Sequence, residues 1–193
     1  KYMNSESTSK SKGNFQFGSM EGSYEIDTLN LVTFSMQLFG GTFDSYGNSS
    51  TQVKNALHEH AYSYRSIYRG TSDWSSIGAN FDYQHSFKKK GEYLTFSYRF
   101  NGSPDNSEAY TEYEDIKDYP YDMNFLRNQY YDNDARTDEH TFQLDYTNPI
   151  NDMHDIDFGA KYILRNNKSE SQYFKDYNGE YQIDNDLTDN FKQ

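Results

Sequence analysis

Apolar and polar residues alternate with a period of two in six separate stretches of the chain. In EYLTFSYRF and its next residue, Leu94, Phe96, Tyr98 and Phe100 share one phase and Thr95, Ser97, Arg99 and Asn101 the other. The same reading sets Met20, Gly22, Tyr24 and Ile26 against Ser19, Glu21, Ser23 and Glu25, and Val32, Phe34, Met36 and Leu38 against Thr33, Ser35 and Gln37. Ile77, Ala79, Phe81, Tyr83 and Phe87 alternate with Gly78, Asn80, Asp82, Gln84 and Ser86. Phe142, Leu144 and Tyr146 alternate with Thr141, Gln143 and Asp145. Ile156, Phe158, Ala160, Tyr162 and Leu164 alternate with Asp157, Gly159, Lys161 and Arg165. Period two marks half-buried strands, and no helical period fits these stretches as well.

The predicted strands lie near 14–27, 30–41, 76–88, 92–102, 139–148 and 154–165. Short connections alternate with long ones. Asp27-Thr28-Leu29, KKKGE (where Gly91 can take a positive φ) and NPINDMHD (where Pro149 cannot pair in a sheet centre) read as tight turns. The stretches near 42–75, 103–138 and 166–193 read as long loops. In an antiparallel up-and-down meander all the short turns fall at one end and all the long loops at the other, as in an outer-membrane barrel. A Greek-key sandwich spreads its long connections over both ends. Alternation alone does not separate lipid from a second sheet as the cover of the apolar phase; the loop asymmetry and the Tyr and Phe near strand ends favour lipid. The fold class is therefore all-β: about six antiparallel strands forming part of a larger transmembrane β-barrel.

Composition sharpens this picture. The 193 residues carry a net charge of −12, yet 18% are aromatic, which argues against plain disorder. Mean hydropathy is −1.10, as expected where half of each strand faces a wet lumen and the connections are aqueous. Between Ser103 and Asp138 stand ten acidic and three basic residues, so acidic charge gathers outside the strands. This balance argues against nucleic acid as a partner. The chain has no Cys, which excludes a disulfide framework. No apolar run exceeds three residues, so no membrane-spanning helix is present.

Three groups of residues are candidates for chemistry. Glu21, Glu25, Asp82, Arg99, Asp145, Asp157, Lys161 and Arg165 occupy the polar phase and would line a lumen, contacting a pathway or pairing across strands. Val32, Phe34, Met36, Leu38, Ile77, Phe81, Leu94, Phe96, Tyr98, Phe100, Phe142, Leu144, Ile156, Phe158, Tyr162 and Leu164 would face lipid. Tyr62, Tyr64, Tyr68, Trp74, Tyr110, Tyr113, Tyr119, Tyr121, Tyr130 and Tyr131 lie in the long connections. Rigid rings with polar tips could grip a ligand there, or simply pack on one another. A helical pattern through Val53, Leu57 and Ala61 competes just before them. His58-Glu59-His60 lacks a third ligand, and Asp132, Asp134 and Asp138 lack the Gly and Glu of a calcium loop. No metal, cofactor or catalytic constellation is expected, and no enzyme.

The stretches SYEIDTLNLVTFS, FDYQHSFKKKGEYLTFSYRF and FQLDYTNPI followed by IDFGAKYILR resemble the barrel of the TonB-dependent-receptor-like outer membrane proteins of Bacteroidetes. That family carries a carboxypeptidase-regulatory-like domain and a plug before its barrel, and the resemblance covers most of residues 14–165. It implies a surface transporter in the cell outer membrane: a barrel of about twenty-two strands around a plug, capturing an extracellular ligand and passing it inward when TonB pulls on the plug. The implied partners are outer-membrane lipid, the rest of the barrel with its plug, and TonB through that plug. Six strands are too few to close a barrel, so the chain reads as a wall fragment. Two further readings stand beside this one: a soluble or surface-anchored all-β binding module, and a passive or structural outer-membrane barrel.

Overall fold

The computed structural model describes residues 1–151 and 153–192. Six long strands follow one another in space as in sequence: β1 (Tyr2–Asp27), β2 (Asn30–Lys54), β3 (His60–Ser86), β4 (Tyr93–Lys117), β5 (Gln129–Asn151) and β6 (His154–Tyr177). Each is antiparallel to the next. Two short strands, β7 (Glu180–Ile183) and β8 (Asp189–Lys192), both pair with the remaining side of β6. The result is an open, single-layered meander. Within a bilayer the unpaired edges of such a sheet need further strands, because hydrocarbon satisfies no N–H or C=O.

The short turns form as the sequence suggests. The Asp27 carboxylate accepts the Leu29 N–H at 2.8 Å and the Asn30 amide at 2.8 Å, closing the first hairpin in two residues. Those two donors hold Asp27 below the usual carboxylate range. Gly91 has φ +83, which an L side chain adopts only with strain. Pro149 is part of β5, but lies beyond Thr147, where pairing with β4 has ended. The third turn is thus shorter than NPINDMHD suggests, and Asp152 within it lies outside the described residues.

The stretches predicted as long loops are largely strand. Residues 42–54 and 60–75 continue the β2–β3 ladder, 103–111 and 129–138 the β4–β5 ladder, 112–117 run on beside β3, and 166–177 extends β6. Gln193, at the end of the last predicted loop, lies outside the described residues. At 23–27 residues, five of the long strands and the 24-residue β6 far exceed the about 9–11 that cross a bilayer. Hydrophobic alternation stops where both faces meet water, yet the ladder continues on backbone hydrogen bonds and polar cross-strand pairs. Ser5 meets Ser49 at 3.2 Å, Thr42 donates to Asp73 at 2.5 Å, Thr71 donates to Asp44 at 3.1 Å, and Arg69 reaches Glu112 at 2.7 Å. The helical pattern through Val53, Leu57 and Ala61 is overruled: Val53 and Ala61 are in strands, and Asn55 closes the turn between them by accepting the Leu57 and Glu59 N–H groups.

The longer β4–β5 connection is itself ordered. Asp122 caps a 3₁₀ turn (Met123–Leu126) by accepting the Asn124 N–H at 2.9 Å. Arg127 then lies over the Tyr177 ring at 4.1 Å and donates to the Asp176 carbonyl. At the top of β6, the Lys175 ammonium and Asp184 carboxylate meet at 2.6 Å. The pairing lowers the Asp184 pKa and raises that of Lys175. A depressed carboxyl contributes stability above its unfolded value, about 3.9, and loses it as pH falls through its folded value. A raised ammonium loses its contribution only at the alkaline end. Hydrogen-exchange protection of Glu180–Ile183 should therefore hold from about pH 5 to 9 and drop below about pH 4. Asp184→Asn should lower protection at neutral pH and remove the acid transition.

Candidate functional site

Register assigns every side chain to a face. Gly22, Phe34, Phe81, Tyr98, Phe142 and Tyr162 follow one another across the six strands in one row. Tyr24, Val32, Tyr83, Phe96, Leu144 and Ala160 form the next. Met36, Leu38, Ile77, Leu94, Phe100, Ile156, Phe158 and Leu164 complete a band on this same face. All sixteen residues of the predicted lipid-facing set lie in the band. Among the described residues no second sheet covers it: Phe34 is 37% exposed, Phe96 38% and Phe158 64%. Among the described apolar residues only Val53, Ile67 and Leu126 are buried.

The opposite face at the same height is polar, and all eight predicted lumen residues lie on it: Glu21, Glu25, Asp82, Arg99, Asp145, Asp157, Lys161 and Arg165. Asp82 accepts from Ser97 at 2.5 Å, and Asn80 bridges Ser35 (3.0 Å) and Arg99 (2.8 Å). Gln143 donates to Asp145 at 2.7 Å, and Arg165 pairs with Glu139. A small hollow between Asn80, Asp82, Arg99, Thr141 and Lys161 is lined by these donors and acceptors. Such a surface is made to stay wet.

The predicted aromatic binding set is divided between the two faces. Tyr62, Tyr64, Tyr68, Trp74, Tyr113 and Tyr131 extend from the polar face. Tyr119 and Tyr121 fold onto them from the β4–β5 connection: Tyr119 lies 5.4 Å from Tyr62 and 6.2 Å from Tyr64, and Tyr121 5.9 Å from Tyr62. Burial, helped by neighbouring tyrosines, raises the Tyr113 and Tyr119 hydroxyl pKa values. Tyr110 and Tyr130 are elsewhere. Their rings stack at 4.5 Å on the face that carries the apolar band, far above it, and Phe174 continues the row at 5.5 Å from Tyr130. The Tyr130 hydroxyl is pushed up to about 12, first by burial and then by Asp132.

A second ring cluster is invisible to a reading that takes these segments as strand ends and loops. Phe15, Phe39, Phe43 and Trp74 meet on the polar face, with Phe39–Trp74 at 4.9 Å and Phe15–Phe43 at 5.1 Å. Phe15 and Phe17 are more than half exposed. Their only sequence signal is that these rings stand out of phase with Met20, Tyr24, Val32 and Phe34. His58 stacks on Tyr2 at 4.1 Å, and His60 faces Asp118 at 3.4 Å. Asp134 and Asp138 are met by Lys168 and Arg136.

A one-layered antiparallel meander, apolar on one face and hydrogen-bonded polar on the other, is the wall of a transmembrane β-barrel. The chain belongs to the outer membrane protein beta-barrel family, whose model matches residues 85–192. Its location is accordingly the outer membrane. No curated protein matches the chain.

Proposed function

We propose that this chain is a wall segment of a barrel that takes up an extracellular ligand through the outer membrane, by TonB-driven transport rather than catalysis. The observation that carries the reading is the pairing of faces: the apolar band contacts hydrocarbon, and the polar network behind it lines an aqueous lumen. The short turns then lie on the periplasmic side, and the long polar strand extensions stand outside the cell. Ligand would meet the tyrosines around Tyr62, Tyr64 and Tyr113 first and the rings of Phe15, Phe39 and Trp74 next, before passing Asp82, Arg99 and Lys161. Coupling to TonB through a plug rests on the family resemblance of the strands and short turns.

The test compares solutes depleted from the medium by cells carrying the native protein and cells carrying Phe39→Ala with Trp74→Ala, each with and without a protonophore. A solute whose depletion is lost both in the variant and on collapse of the proton-motive force supports driven uptake. A solute lost in the variant but indifferent to the protonophore points to a passive barrel. If no solute differs, the uptake reading fails.

A further inference from the structure

Far above the apolar band, the same face carries a second apolar row. Tyr46, Arg69, Tyr110, Tyr130, Phe174 and Ile183 stand side by side on β2 to β7. Between ring centres, Tyr130 lies 4.5 Å from Tyr110, 5.5 Å from Phe174 and 6.4 Å from Tyr181. The row is open to solvent, with Tyr46, Tyr110, Tyr181 and Ile183 between 38% and 44% exposed. At ~4.8 Å between strands it runs about 24 Å across the sheet. Tyr110 stands ten residues beyond Phe100. At the usual rise and tilt that puts the row about 25 Å above the band. Hydrocarbon does not reach it.

The rows on either side are acidic. Asp44, Glu108 and Asp132 lie immediately below, and Asp73, Asp134 and Glu170 in the row under those. Glu112 and Asp176 stand above. Arg69 is tied to Glu112 at 2.7 Å, and the one Lys168 ammonium serves both Glu170 at 3.1 Å and Asp134 at 3.7 Å. Lys10 and Lys12 add two more cations, at the outermost strand β1. These eight carboxylates thus face four cations. An aromatic centre within a charged rim has the anatomy of a protein interface, and the sign of the rim selects the occupant. It repels the phosphates of an anionic glycolipid, and a second copy in two-fold contact would set the same carboxylates against one another. A basic partner meets neither obstacle.

We propose that this stripe is the docking surface for an extracellular protein whose contact face has an apolar centre ringed by lysine and arginine. The inference rests on this face being the outside of the barrel and this end lying outside the cell. Tyr110 and Tyr130 thereby serve a protein partner and not the transported ligand, and failure of the inference leaves the uptake reading untouched.

The intact barrel protein in lipid nanodiscs tests this with an alternating lysine–tyrosine nonapeptide as the probe, its affinity read by isothermal titration against empty nanodiscs. The matching glutamate–tyrosine peptide should bind at least about tenfold more weakly. Glu108→Gln with Asp132→Asn should weaken the lysine peptide about tenfold, and so should Tyr110→Ala with Phe174→Ala, with heat-modifiable gel migration unchanged as a check of folding. Asp155→Asn, at the opposite end of β6, should leave it unchanged. Equal affinity for the two peptides, or folded stripe variants that bind like the native protein, overturn the proposal. Two other occupants are read in the same preparations. A dimer in sedimentation that Tyr110→Ala with Phe174→Ala abolishes would assign the stripe to a second copy. Retained lipopolysaccharide that falls in that variant would assign it to glycolipid. Either result overturns the basic protein partner.

Discussion

Phe96→Arg should destabilise the folded barrel in lipid vesicles by about 2–4 kcal/mol, while Ser97→Arg, one residue on, should cost well under half as much. Phe96 sits in the middle of the apolar band, between Tyr83 and Leu144 on the neighbouring strands. A guanidinium there must be solvated by hydrocarbon or drag water and headgroups inward. Ser97 lies opposite Asp82 and Gln143, and its hydroxyl already donates to the Asp82 carboxylate. An arginine at 97 finds that carboxylate and water. Urea titration of both variants in the same vesicles reads the difference. Equal costs would mean that the two faces have been assigned wrongly.

Gly41→Val should be the more damaging of two glycine replacements on the first hairpin. A Cβ at Gly41 would lie 2.3 Å from the Asn14 carbonyl oxygen and 3.2 Å from the Phe15 ring. The first is a backbone atom, which no rotamer change can move away. The β1–β2 ladder would have to part there, at about 1–3 kcal/mol for overpacking, and the Phe15–Phe43–Trp74 cluster would lose its geometry. At Gly18 an added Cβ meets nothing within 4 Å. Gly18→Val should therefore be near neutral, since valine suits a strand better than glycine does. Gly18 is the control: if both replacements cost the same, close approach at Gly41 is not the cause.

The band was legible because burial on one side only leaves a period-two record in the sequence. Leu94 to Phe100 carries it without interruption, and Ile156 to Leu164 breaks it only at Ile163. Beyond Phe100 the record fades, since Ser103, Asp105 and Ser107 on one face and Pro104, Asn106 and Glu108 on the other are all in water. The strand persists there on backbone pairing, which leaves no hydropathy signal. Tyr2–Gly13 shows the same effect: YMNSESTSKSKG carries no apolar alternation, yet pairs residue by residue with β2. Once the strands are run through, parity sorts the rings correctly. Tyr110 keeps the phase of Phe96, and Tyr130 that of Phe142, which places both on the face of the apolar band; Tyr113 and Tyr131 take the opposite phase. The Phe15–Phe39–Phe43–Trp74 cluster needed register, because its members come from three strands and touch only when Gly41 meets Phe15 and Gly40 meets Ser75.

The central claim is that one face of this sheet meets hydrocarbon and the other meets water. The chain has no Cys, so single cysteines at successive positions from 94 to 101 would each carry one fluorophore. Quenching by brominated lipid in reconstituted membranes is the direct readout. Labels at 94, 96, 98 and 100 should be quenched, and those at 95, 97, 99 and 101 should instead respond to aqueous iodide. Quenching that ignores parity, or that favours 95, 97 and 99, would contradict it.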